Sequence, residues 1–276
     1  MIDFRPVAIT AIAMHLAVWP AYANPSPEDA LYEAETIVTG TGETERLRGF
    51  RIGARDVFIK LTGRPKLAET PQAEAIFARG PELIAGHSYE DRMKDIPIHD
   101  EQGTRDRPHF LRMRFDRRKF DQVLKEAGIG TWDGTRPTVA VWLGIRDARG
   151  RYILTRDGEE GYGQREVLKE ASKRRAIPIV LPQDDQEAID YTDLVKNNWS
   201  ALQSASKALG ANAVLYGTLE FDGNAHWDCQ WVTAGDSAYA KWKLKGVTFD
   251  MALKDAIDRV MISHARHENY FREKTE

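Results

Sequence analysis

The stretch 199–221, WSALQSASKALGANAVLYGTLEF, constrains the fold more tightly than any other part of the sequence. Trp199, Leu202, Ala205 and Leu209 recur at intervals of three and four, which places them on one helical face. Asn198 stands where a side chain caps the first turn of a helix. Gly210 stands where a helix ends in a left-handed residue, a conformation glycine adopts without a Cβ penalty. Residues 213–216 are then apolar without alternation, which suits a strand covered on both faces. Gly217 keeps one side of that strand low, so a close neighbour is expected there. An amphipathic helix feeding such a strand predicts an inner strand of a sheet with helices against it.

A second stretch makes the same demand. In residues 137–145, PTVAVWLGI, the positions Val139, Val141, Leu143 and Ile145 share one face, and Ala140, Trp142 and Gly144 the other. Both faces are apolar, so this too reads as a central strand. A turn at 147–150 leads to a hairpin strand, followed by a helix at 164–175 and a short strand at 177–181. An acidic loop at 184–193 precedes the helix–strand unit. After that unit come strands at 225–232 and 238–244, where Tyr239 and Lys241 oppose Ala240 and Trp242, and a helix at 249–270. Upstream, the pattern predicts a strand at 31–40, a long helix at 43–61 stopped by Gly63, and a helix at 71–79. A polar loop at 80–108 follows, then an alternating strand at 110–115 and a helix capped by Asp116. The fold class is α/β (α+β): a mixed β-sheet flanked by helices, in two α/β modules, 24–134 and 135–276, divided at the 131–135 turn.

Composition enters through location and partners. The chain has 276 residues, a formal net charge of -3 and one cysteine. A lone Cys229 forms no intrachain disulfide, and a near-neutral charge argues against a general nucleic-acid binder. Arg5, the apolar run 7–19, Pro20 and the Ala21-Tyr22-Ala23 pattern read as a secretory leader cleaved after Ala23. The run is shorter than the roughly 20 residues a membrane-spanning helix needs. An exported, periplasmic mature chain with no transmembrane segment is therefore expected.

Reactive constellations are sparse. Gly40-Thr41-Gly42 between a strand and a helix lacks the Lys-Ser/Thr pair of a phosphate loop, and Glu43 and Glu45 would repel a phosphate, so it reads as a turn. His226, Asp228 and Cys229 are close in sequence, but on a strand Cys229 points away from the other two. His264 and His267 could touch one ion, with Arg266 opposing it. The acidic loop lacks the alternating ligands and glycine of a calcium loop. No catalytic residue, metal or cofactor is assigned. Arg112, Arg114, Arg117, Arg118 and Lys119 form a basic patch and are the candidate binding residues, suited to anionic headgroups, lipopolysaccharide or an acidic partner.

The blocks YEAETIVTGTGETERLRGFRIGARDVFIKLTG (32–63), FLRMRFDRRKFDQVLKEAGI (110–129) and TRPTVAVWLGIRD (135–147) resemble, in type and order, an uncharacterised family of exported bacterial proteins, domain-of-unknown-function family 2066. That resemblance implies no activity. The segment 209–221, LGANAVLYGTLEF, is similar to envelope-assembly modules: the TolB N-terminal domain, the curli secretion lipoprotein and the lipoproteins that activate penicillin-binding proteins. Those modules bind other proteins and do no chemistry, an analogy of fold. The expectation is a periplasmic, non-enzymatic accessory factor that binds another envelope protein. It would act through the open edge of the hairpin sheet, the basic patch or the 80–108 loop. The alternatives are an exported hydrolase using His226, Asp228 and Cys229, or a small-ligand carrier with a pocket of Trp142, Trp227, Trp231 and Trp242.

Overall fold

The computed structural model describes residues 28–95, 106–132, 135–184, 189–235 and 239–272. The expected leader at 1–23 and its cleavage site lie outside them. The chain is α+β, with two sheets and helices packed on them.

The first sheet has the order β1-β3-β2, with β1 at Glu33–Thr39, β2 at Ile84–Asp91 and β3 at Pro108–Phe115. All pairings are antiparallel. The alternation of β3 buries Leu111, Met113 and Phe115 and leaves Arg112 and Arg114 in solvent. The buried face carries α1 (Glu43–Thr62), which ends at Gly63 with φ 65°. Gly49 and Gly53, one turn apart, let α1 settle on the strands: a Cβ at Gly49 would lie 2.4 Å from Leu111 Cδ2, and one at Gly53 2.7 Å from Met113 Sδ. Glycine inside a helix costs roughly 1 kcal/mol against alanine, a cost offset here by close packing. Helix α2 (Pro71–Ala78) follows, then the single turn α3 (Gly80–Leu83). Helix α4 (Arg117–Glu126) starts at Asp116, whose side chain accepts from the Lys119 amide at 3.1 Å.

The stretch 80–108 is not all loop. Its sequence over β2, IAGHSYED, has too few apolar side chains to alternate visibly, and pairing with β3 makes it a strand. Residues 96–105 of that stretch lie outside the described residues.

The second sheet has the order β5-β4-β7-β8-β9, with β6 also paired to β4. β4 (Val139–Asp147) and β7 (Ala213–Phe221) are parallel neighbours. β5 (Gly150–Ile153) makes a hairpin with β4, and β6 (Ile179–Val180) is shorter than the 177–181 strand expected. β7, β8 (Trp227–Gly235) and β9 (Tyr239–Val247) form an antiparallel meander. Gly217 meets its expected close neighbour, since a Cβ there would lie 2.0 Å from the Gln230 carbonyl oxygen.

Helices α5 (Tyr162–Arg175) and α8 (Phe249–Arg272) cover one face of this sheet. There Val139, Val141, Leu143 and Ile145 join Leu168, Leu253, Ile257 and Val260 in one core. Helices α6 (Tyr191–Lys196) and α7 (Trp199–Ala208) cover the other face, over Ala140, Trp142, Val214 and Tyr216. The two faces read from 137–145 are therefore both buried, against different helices.

Helix α6 was hidden in the acidic stretch. Asp190 and Asp193 form its capping box, Asp190 accepting from the Asp193 amide at 2.7 Å and Asp193 from the Asp190 amide at 3.1 Å. These carboxylates terminate a helix. Asn198 makes no side-chain cap on α7; its amide donates to Asp193 Oδ1 at 2.8 Å instead.

The two modules share a core. Side chains from α1, β3 and α4 belong to the same buried cluster as those from β4, α5 and α8. Asp56 on α1, 4 % exposed, pairs with Arg174 at 2.8 Å and Arg175 at 3.2 Å on α5. Arg175 also bonds Asp258 of α8 at 2.5 Å. Among the described residues, no helix is long and apolar enough to cross a membrane.

Candidate functional site

Each sheet has two edge strands, and two of these four edges, β1 and β9, are treated differently. At β1 the outward backbone is occupied by side chains of α1. The Thr39 amide donates to Glu45 Oε2 at 2.9 Å, Arg48 donates to the Ile37 carbonyl at 3.2 Å, and Lys60 donates to the Glu33 carbonyl at 2.7 Å. Glu45 is itself bound by Arg48, which with the Thr39 amide holds its carboxyl down to about 2. Lys60 is buried and also donates to the Ala30 carbonyl at 3.0 Å. Burial pulls its ammonium down to about 8 despite the opposing pull of Asp56 and Glu33.

At β9 the ladder is filled on one side by β8, and among the described residues nothing occupies the other. The strand alternates. Trp242 packs against α8 and donates to Asp255 Oδ2 at 2.8 Å. Tyr239, Lys241, Lys243 and Lys245 project from the opposite face into solvent. Lys241 stands across from Val232 and Lys243 across from Gln230. None of the three lysines makes an ion pair among the described residues. Tyr239 is 69 % exposed and Trp199 38 % exposed. Tyr216, two strands in on the same face, tilts against Trp199 with ring centroids 6.4 Å apart. The result is a shelf with a lysine row, an exposed backbone edge and an aromatic flank.

The five basic residues singled out from the sequence are carried by two successive elements. Arg112 and Arg114 stand on the outer face of β3, and Arg117, Arg118 and Lys119 in the first turn of α4. Arg112 is pinned by Glu35 at 2.7 Å and Glu90 at 2.5 Å, ties that cross the three-stranded sheet. Arg117 pairs with Glu28 at 2.9 Å, and Lys119 donates to the Glu82 carbonyl at 3.2 Å. Arg114 and Arg118 remain exposed without an ion pair among the described residues.

Other sequence candidates separate. Cys229 is 2 % exposed, and burial pushes its thiol up. Asp228 accepts from the Gly246 amide at 3.0 Å, and the His226 ring is 3.9 Å from Asp222. No nucleophile–base pair results. Trp142 is buried under α6 and α7, whereas Trp227, Trp231 and Trp242 lie on the α8 side, so the four form no common pocket. Gly40 has φ 75° and donates to the Arg107 carbonyl at 2.7 Å, a turn. The side chain of His267 lies outside the described residues. Among the described residues, no group of three potential ligands could hold a metal.

Residues 27–133 match a family model described as Domain of unknown function (DUF8605). An uncharacterised family was expected, but this is a different one from family 2066, and its span stops before the 135–147 block. No curated protein and no solved structure matches the chain.

Proposed function

We propose that this chain is an exported, non-enzymatic accessory protein of the cell envelope that captures an acidic, extended segment of another envelope protein along β9. The observation that carries the reading is the row Lys241, Lys243 and Lys245, without an ion pair among the described residues, on a strand edge that no described residue occupies. Exposed strand edges accept peptides as an added strand, with main-chain bonds giving affinity and alternate side chains giving specificity. Lysines on an edge repel a second copy of the same strand and so guard against self-association. The same row complements a strand bearing Asp or Glu at every second position, because side chains facing each other across a ladder are about 4.5–5.5 Å apart. Trp199 and Tyr239 provide aromatic anchors of the kind enriched among binding hot spots. Export is supported by the leader-like pattern ending at Ala23, and an envelope setting by the likeness of 209–221 to envelope-assembly modules.

A labelled peptide alternating Asp with Val, titrated by fluorescence anisotropy, tests the edge. The reading expects saturable binding that weakens at least about tenfold in the K241E/K243E/K245E variant and with added salt. The R112E/R114E/R118E variant should bind as the wild type does. Equal affinity of the β9 variant and the wild type would reject the lysine row. Loss on reversing only the β3/α4 arginines would move the site to that patch.

A further inference from the structure

Of the sheet edges, all but one are guarded against pairing with a second copy of the chain. β1 is closed by Glu45, Arg48 and Lys60. β5 and β6 are four and two residues long, and β9 carries the lysine row. Covering side chains, short strands and edge lysines are the means by which proteins prevent edge-to-edge association. β2 has none of them. It runs for eight residues, Ile84–Asp91, without lysine or proline, and no strand among the described residues pairs with its outer side. Its one irregularity lies between Ile84 and Gly86 and leaves 87–91 regular.

The ladder fixes which groups face outward. The Arg92 amide donates to the Pro108 carbonyl at 3.1 Å, and bonded pairs alternate along an antiparallel ladder. Glu90 and Ser88 therefore bond to β3, and the amides and carbonyls of His87, Tyr89 and Asp91 point away from it. Among the described residues nothing bonds to those of His87 and Tyr89. The side chains of the three residues share one face of the sheet, where the His87 ring is exposed and stands edge-on to Tyr89 with centroids 5.6 Å apart.

A second β2 laid antiparallel along this edge, with the two-fold axis at Tyr89, sets Tyr89 against Tyr89 and His87 against Asp91 of the other copy. Asp91 has capacity for that contact. One oxygen accepts from the Met93 amide at 2.7 Å and the other from Arg107 at 2.9 Å, whereas an ionised carboxylate accepts about four bonds. Symmetry supplies the His–Asp contact twice. The pairing also closes. The joined sheet runs β1-β3-β2-β2-β3-β1 and ends on both sides at β1, whose outward groups are taken, so assembly stops at two.

We propose that β2 is the interface between two copies of this chain, joined edge to edge across a two-fold axis at Tyr89 into one six-stranded sheet. On β2 only residue 89 then meets itself, which gives the test. In Tyr89→Lys and in Tyr89→Glu like charges face each other across the axis, whereas a mixture of the two sets Lys against Glu.

Sedimentation equilibrium of the full chain should show a wild-type dimer with a dissociation constant of about 100 µM or tighter. Each variant, verified as folded by circular dichroism, should dimerise at least about tenfold more weakly, and their equimolar mixture should regain the dimer. Tyr89→Phe, which keeps the ring, and K241E/K243E/K245E should remain dimeric. If a charged variant at 89 fails to fold, His87→Asp, a change at an exposed side chain that opposes two carboxylates, should weaken the dimer in the same way. A monomeric wild type would leave β2 to a strand of another protein and overturn the proposal. So would folded variants that dimerise as the wild type does, a mixture no tighter than its components, or loss of the dimer in K241E/K243E/K245E.

Discussion

The strand edges at β1 and β9 solve the same problem in opposite ways. At β1, α1 lies alongside and spends Glu45, Arg48 and Lys60 on the outward amides and carbonyls. At β9 the helix of the same module, α8, packs on the face of the sheet, and among the described residues nothing lies along the edge, which carries three lysines. An unpaired edge is a template for another strand unless something closes it. Side-chain closure removes the edge from use. Charge guards it against its own copy while leaving it available to a partner of opposite sign. The proposed function thus assigns recognition to β9 and leaves β1 a structural part.

Substitutions at the closed end should carry the larger stability costs. Asp56 anchors α1 to α5, and Asp56→Ala leaves the Arg175 guanidinium, 15 % exposed, with Asp258 as its remaining acid. Because Asp258 still compensates Arg175, the loss is expected at about 1–3 kcal/mol, below the cost of a buried charge left alone, to be read from urea unfolding. A loss under 1 kcal/mol would mean that the modules are not fastened there.

Lys60 gives the closed end a pH signature. Its folded value, about 8, lies below the ordinary lysine value of 10.5. Between those values the unfolded chain binds the extra proton, so stability rises with pH, by up to about 1.4 kcal/mol per unit. The gain is complete above the unfolded value and lost as pH falls to 8. Tyr32, Tyr152 and Tyr191, whose hydroxyls are pushed up by burial and neighbouring carboxylates, oppose the trend only above their ordinary value near 10. Unfolding measured from pH 8 to 9.5 should therefore show a rise that Lys60→Met flattens. Parallel curves for the two proteins would contradict the burial of a charged Lys60.

The open end should behave conversely. K241E/K243E/K245E is expected to change stability by no more than about 0.5 kcal/mol, while removing capture of acidic strands. A large drop in melting temperature would show the lysines to be structural. The smallest effect sharpens the contrast locally. Glu45→Gln weakens the acceptor of the Thr39 amide, so hydrogen exchange should speed up at Thr39 and not along β9.

Much of this fold could be read from residues alone. The two-faced strands at 137–145 and 213–216, the glycine stop at Gly63 and the Asp116 cap are local or periodic signals, and all appear where expected. β2 did not show because its side chains are polar and only β3 makes it a strand. α6 did not show because its carboxylates serve caps, and Asn198 looks like a cap until Asp193 takes its amide. Gly49 and Gly53 carried a signal, two glycines a turn apart in a helix, whose meaning needs the strand beneath them. The site divides in the same way. The alternation Tyr239–Lys241 is plain in the sequence, but whether a lysine is paired depends on sheet order. That order ties Arg112 to Glu35 and Glu90 and leaves Lys243 without an ion pair among the described residues.

The most direct test of the two-edge account places a photoactivatable crosslinker in cells at Lys243 on β9 and, separately, at Ile37 on β1. The account predicts a single stoichiometric adduct from position 243, lost in the Lys241→Glu/Lys245→Glu background, and none from position 37. The same adduct from both positions, or an adduct from position 37 alone, would contradict it.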